Sequence, residues 1–97
     1  MFVLALEVDM RVPAATSLKE KRASVKTIVE GARRRFSVAA SEVADQDLRQ
    51  RARLGFAAVA PSASRAVEII DTVERFVWSF PEVEVVSAER HWLEVER

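Results

Sequence analysis

Apolar residues fall at every second position near the start of the chain, at Phe2, Leu4, Leu6, Val8, Met10 and Val12, with Val3, Ala5, Glu7, Asp9 and Arg11 between them. A period of two marks a strand with one buried face. Pro13 removes a backbone donor and ends it, and the loop that follows leads to Ser17, a helix N-cap with Glu20 three residues on, the spacing of a capping box. From Ser17 to Val38 the period becomes helical. Leu18, Val25, Ile28, Val29 and Ala32 make one apolar stripe and leave the basic residues largely on the opposite side. Gly31 weakens such a helix by about 1 kcal/mol relative to Ala, so it marks a close approach or a bend.

Beyond the helix, Phe36–Val43 reads as a second strand, with Phe36, Val38 and Ala40 on one face and Ser37, Ala39 and Ser41 on the other. Residues 44–52 lack strand periodicity and predict a helical turn. A third strand follows at Arg53–Ala60, where Leu54, Phe56, Ala58 and Ala60 share a face and Pro61 ends the run. Ser62 caps a second helix to about Ser79, with Ala66, Ile69, Ile70, Val73, Phe76 and Val77 as its apolar stripe and Pro81 just past its end. Glu82–Val95 predicts a long fourth strand whose alternation blurs at Val86 to Ala88, as a β-bulge would make it.

The order β-α-β-β-α-β is the split βαβ pattern, and right-handed crossovers place the strands 4-1-3-2, every neighbouring pair antiparallel, with both helices on one face. The expected fold is therefore an α+β, ferredoxin-like sandwich in one domain spanning all 97 residues. Two helices cover only one side of such a sheet. The side carrying Val3, Ala5, Gly55, Ala57 and Val59 stays open unless a partner covers it, so a homo-oligomer is expected, a dimer first, with Val3, Ala5, Ala57, Val59 and Trp92 as its interface. Trp92 enters because tryptophan on an edge strand can anchor a subunit contact; Trp78, near a helix end, is expected to pack on the core.

Composition narrows the class. The chain is 49% hydrophobic and 31% charged, with two Gly, three Pro and no Cys, Asn or Tyr. A low-complexity or disordered chain is excluded. The lack of Cys removes disulfides, thiolate metal sites and Cys nucleophiles together, and suits a reducing cytosol. The first apolar run is broken by Glu7 and Asp9 and has no basic flank, so neither a signal peptide nor a membrane span is expected, and the predicted location is cytoplasmic. Abundant Arg and Ala with no Asn or Cys suits a thermophilic source.

Charge changes the picture more. Lys19, Lys21, Arg22, Lys26, Arg33, Arg34 and Arg35 are seven of fifteen bases and face only Glu20 and Glu30, a local balance of +5, while residues 65–97 hold four bases against eight acids, a balance of −4. Arg33 to Arg35 stand at a helix C-terminus, where the macrodipole favours cations. Lys19, Lys21 and Arg22 stand at the N-terminus, where it does not. Free backbone N–H groups there, joined by three cations, would suit a phosphate of RNA or of a small ligand.

Catalytic chemistry has thinner support. His91 is the single histidine, with Glu89 two positions before it; one His without Cys makes a poor metal site, so neither a metal nor a cofactor is expected. Glu7 and Asp9 share a strand face as a carboxylate pair that Arg11 or Arg53 would neutralise. Acylphosphatases have this topology but use an Asn that this chain lacks. RNA-reading strands of RRM domains carry stacking aromatics, whereas Phe56 has the parity of the core.

The stretches SLKEKR (17–22), RRRFSV (33–38) and SEVADQDLRQRARLGFAAVA (41–60) resemble the pattern of the YlxP-like family of bacterial proteins, a domain of unknown function. The match runs from about Ser17 to Ala60 by motif and over the full length by size and element order. The resemblance implies a small ferredoxin-like cytoplasmic protein whose gene lies near those of transcription-elongation, translation-initiation and ribosome-maturation factors, and it implies no activity. One position departs from the pattern: Arg49 stands where the family is expected to carry an aromatic, which removes a stacking role from that loop. Together these readings predict a non-enzymatic RNA- or ribosome-associated accessory protein that contacts phosphates through Lys19, Lys21, Arg22, Lys26, Arg33, Arg34 and Arg35. The alternative is an oligomeric structural module without a nucleic-acid role.

Overall fold

The computed structural model describes residues 1–93, in six elements: β1 (Phe2–Arg11), α1 (Leu18–Phe36), β2 (Ala39–Ala44), β3 (Arg51–Ala60), α2 (Ala63–Trp78) and β4 (Glu84–Leu93). The strands form one antiparallel sheet in the order β2-β3-β1-β4, the expected 4-1-3-2 read from the other edge. Among the described residues, no helix is long and apolar enough to cross a membrane.

Both helices start where hydroxyl caps predict. Ser17 Oγ accepts from Glu20 N, and Ser62 Oγ from Arg65 N, both at 3.2 Å. The reciprocal arm of the first capping box lands one residue early: the Glu20 carboxylate accepts from Thr16 N at 2.8 Å and from the Thr16 hydroxyl at 2.9 Å. These bonds hold the Glu20 carboxyl below its ordinary pKa, the backbone N–H contributing most.

Element boundaries differ most from the sequence expectation at three places, and β4 begins at Glu84, two residues later than expected. The helix α1 continues through Phe36 and closes at Ser37 in the left-handed region, φ 53°, so β2 begins at Ala39 and Phe36 is helical. Residues 44–52 form no helical turn; a bulge between Glu42 and Ala44 and a left-handed Asp45, φ 63°, lead into a hairpin loop. The strand β3 starts at Arg51, where the ladder opposite Arg11 extends it. In β4 the expected bulge falls at Val86, since Asp9 pairs with Ser87 and Met10 with Val85. Val95, the predicted end of that strand, lies outside the described residues.

The core fills the space between the sheet and the helices. Val25, Ile28, Val29 and Ala32 of α1 and Ala66, Ile70, Val73 and Val77 of α2 pack over Leu4, Leu6, Val8, Met10, Leu54, Phe56 and Ala58. Phe56 is 2% exposed and faces the helices, as its parity predicts. Gly31 marks a close approach: a Cβ there would stand 2.7 Å from Cζ of Phe76, which meets Phe36 and Phe80 edge-on. Trp78 does not pack as expected. It follows Val77 by one residue, about 100° off the buried stripe, and is 60% exposed. Beyond the helices β4 forms an edge whose residues, except half-buried Val85, are all exposed.

Candidate functional site

The fold separates the seven predicted phosphate contacts. Lys21 belongs to the apolar stripe rather than to the basic face: it precedes Val25, Ile28 and Ala32 by four, seven and eleven residues, and it is completely buried. Its ammonium donates to Glu42 Oε2 at 2.8 Å and lies 3.0, 3.1 and 3.3 Å from the carbonyls of Asp45, Gln46 and Arg51. Its protons are therefore committed to the hairpin loop, and Lys21 cannot reach a phosphate. The signal in the sequence is a charge four residues before Val25 and seven before Ile28, outweighed by its basic neighbours.

The helix start also differs from the expected anion site. Glu20 places its own carboxylate at the first turn, where it supplies the negative charge that the macrodipole favours. The cation-lined surface shifts toward the middle and end of α1. Arg22, Lys26 and Arg33 border a groove of about 260 Å³ between α1 and β2, with Val25, Val29, Glu30, Ser41 and the Lys21-bound Glu42 along its walls. Arg33 also donates to the Ala40 carbonyl, which ties its guanidinium to the strand. Lys19 is exposed and shares the helix face of Arg22 and Lys26 by three- and seven-residue spacing.

Arg34 is exposed, and Arg35 leaves this face altogether. Its guanidinium sits 5.4 Å from the ring centroid of Phe76 and lines the cleft toward α2. The expected single patch is thus a line of four cations, Lys19, Arg22, Lys26 and Arg33, with Arg34 nearby, Arg35 on the far side and Lys21 inside. Among the described residues, none of the six exposed cations has a carboxylate within 4.0 Å.

The uncovered face of the sheet holds the remaining candidates. Val3, Ala5, Ala57 and Val59 lie on it as expected, Val59 being 63% exposed. Trp92 does not: it pairs with Leu4 and points to the helix side, while Leu93, opposite Val3, takes the open side. The bulge at Val86 sets that parity. Floored by Ala5, Gly55 and Ala57, an apolar trough of about 380 Å³ runs between Val43 and the pair Glu7 and His91.

Charged groups on this face meet across strands. Arg51 grips both oxygens of Asp9 at 2.8 and 3.0 Å, and Arg53 reaches Asp9 at 3.6 Å and Glu7 at 3.7 Å. Arg53 was an expected partner; Arg51 replaces Arg11. Register also joins two pairs that the sequence shows apart: Glu89 lies directly opposite Glu7, and His91 Nε2 is 3.7 Å from Glu89 and 4.0 Å from Glu7.

Comparison with known proteins places the chain. The profile of the family described as "Protein of unknown function (DUF503)" matches residues 3–90. The protein of Bacillus subtilis (strain 168) named "Uncharacterized protein YlxP" is 40% identical over 78 residues, covering 80% of this chain and 85% of that protein. The matched span contains both the buried Lys21 staple and the cation-lined groove, and the chain belongs to the DUF503 family of proteins of unknown function.

Proposed function

We propose that this protein is a non-catalytic accessory factor of the bacterial cytoplasm that docks RNA, ribosomal RNA foremost, against the cationic face of α1. One observation carries the reading: Lys19, Arg22, Lys26 and Arg33 follow one helix face, exposed, beside a groove, with no carboxylate within 4.0 Å among the described residues. A row of point charges suits the backbone of a polyanion. Base stacking is not part of the proposal, because among the described residues the strand positions of the open face carry no Phe, Tyr or Trp, and Phe56 is turned inward. Affinity for ribosomal RNA fragments is expected to fall steeply between low and moderate salt, with a log–log slope near −0.7 to −0.9 per phosphate contact. The variant Arg22→Glu/Lys26→Glu/Arg33→Glu is expected to lose most of that slope. A salt-independent affinity, or equal binding by the variant, defeats the proposal.

A second reading draws on the row Leu93, Val3 and Val59, paired across three strands on the open face, with Leu93 61% and Val59 63% exposed. In it, a second copy of the chain covers this row as a homodimer. Sedimentation of the wild type against Val59→Glu separates the two: a monomer in both rejects the dimer and leaves the RNA reading untouched.

A further inference from the structure

We propose that Glu7, Glu89 and His91 bind one divalent transition-metal cation of the zinc class on the uncovered face of the sheet. The inference stands apart from the RNA reading, which concerns the other side of the molecule. One potential ligand atom from each of the three residues lies within 4.8 Å of the other two. Around a tetrahedral zinc with bonds of about 2.0–2.2 Å, ligand atoms stand about 3.4 Å apart, so the 3.7 and 4.0 Å separations from His91 Nε2 must close by about 0.3 and 0.6 Å, and that between the two carboxylates, which lies within 4.8 Å, by at most about 1.4 Å. All three residues project from paired strands, which fixes their backbone without a loop to order.

A separate observation points to a bound cation. Glu7 and Glu89 are directly opposite in the β1–β4 ladder, and like charges in that relation repel. The guanidiniums nearby do not resolve this. Arg51 is taken by Asp9, and Arg53 divides itself between Asp9 Oδ2 and Glu7 Oε1; among the described residues, His91 is the one basic group within 4.0 Å of Glu89. A metal between the two carboxylates converts that repulsion into ligation.

The two oxygens of Glu7 are divided in the sense such a site requires. Oε1 faces Arg53 at 3.7 Å, and Oε2 faces His91 at 4.0 Å. Arg53 is then the outer partner that orients a ligating carboxylate. One imidazole nitrogen with two carboxylate oxygens favours a borderline ion such as zinc over magnesium or calcium, which take oxygen donors. Three protein ligands leave a coordination position free, and Glu7 and His91 both border the apolar trough.

The test uses the full chain, stripped of metal and titrated with zinc chloride against a chromophoric chelator, with magnesium chloride as the comparison. Because His91 is the single histidine, its imidazole proton resonances report the site directly in the wild type. The expected result is one zinc per chain, a shift or broadening of the His91 signals at stoichiometric zinc, and no response to magnesium. His91→Ala and Glu89→Gln are each expected to weaken zinc by at least the ~10-fold that loss of an outer partner alone costs. Unshifted His91 resonances overturn the proposal whatever the stoichiometry, and so does zinc affinity in His91→Ala equal to that of the wild type.

Discussion

The α1–β2 flank and the open face of the sheet both carry many charges and treat them in opposite ways. On the flank the fold consumes one cation, Lys21, completely and leaves its neighbour Arg22 in solvent, with no carboxylate within 4.0 Å among the described residues. On the open face most charges are spent on one another, Asp9 on Arg51 and Arg53 and one oxygen of Glu7 on Arg53, with Glu89 left to His91 alone among the described residues. The difference follows from geometry. A helix turns about 100° per residue, so adjacent charges reach unlike surroundings. A sheet face gathers alternate residues of several strands, so its charges meet one another.

The largest expected effect tests the flank. Lys21→Met leaves Glu42 and three backbone carbonyls without their donor, and removing one member of a buried pair costs about 3–5 kcal/mol. Urea denaturation should show that loss; a change below about 1 kcal/mol would mean that the ammonium is no more consumed than its neighbours. On the open face Asp9→Ala strands the Arg51 guanidinium, whose Nε is already buried without a partner. The expected loss is about 1.5–3 kcal/mol, the range for hydrogen bonds to charged groups, measured the same way.

Smaller effects sharpen the contrast. Lys19→Glu/Arg22→Glu/Lys26→Glu changes exposed residues only, and each substitution should stay within about 0.5 kcal/mol while RNA affinity collapses; parallel loss of stability and binding would make those cations structural. The smallest effect is at Glu20. Its folded pKa lies below the unfolded one, so its contribution is complete above the unfolded value and is lost as pH falls through the folded value. Glu20→Gln should remove that part of the acid dependence in a series of melts, leaving the neutral-pH difference between the two regions unchanged.

Much of the fold was legible because periodicity and caps agree in this chain. Six alternating apolar residues gave β1, Ser17 and Ser62 gave both helix starts, and the blurred stretch after Val85 gave the bulge. What escaped depended on partners distant in sequence. Phe36 could extend a helix or begin a strand, and only its edge-on contact with Phe76 of α2 shows what the helix gains. The parity of Trp92 and Leu93 hangs on one inserted residue at Val86. In the sequence Lys21 reads as a surface charge because its acceptors lie 21 to 30 residues away. The meeting of Glu7 with Glu89 and His91 is a matter of register across a ladder, which no single stretch of sequence contains.

The edge position of β4 gives the molecule a clasp. Among the described residues, β4 shares a ladder with β1 alone, and its one ionic link to the helices is Arg90, which holds Asp71 at 2.8 Å and Glu74 at 3.3 Å. A strand secured on one side with little burial opens ahead of the body it joins. Its amides should therefore exchange with deuterium well before those of β3, and faster still in Arg90→Ala. Each opening carries Glu89 and His91 away from Glu7 while the rest stays folded, so the clasp releases whatever those three residues hold.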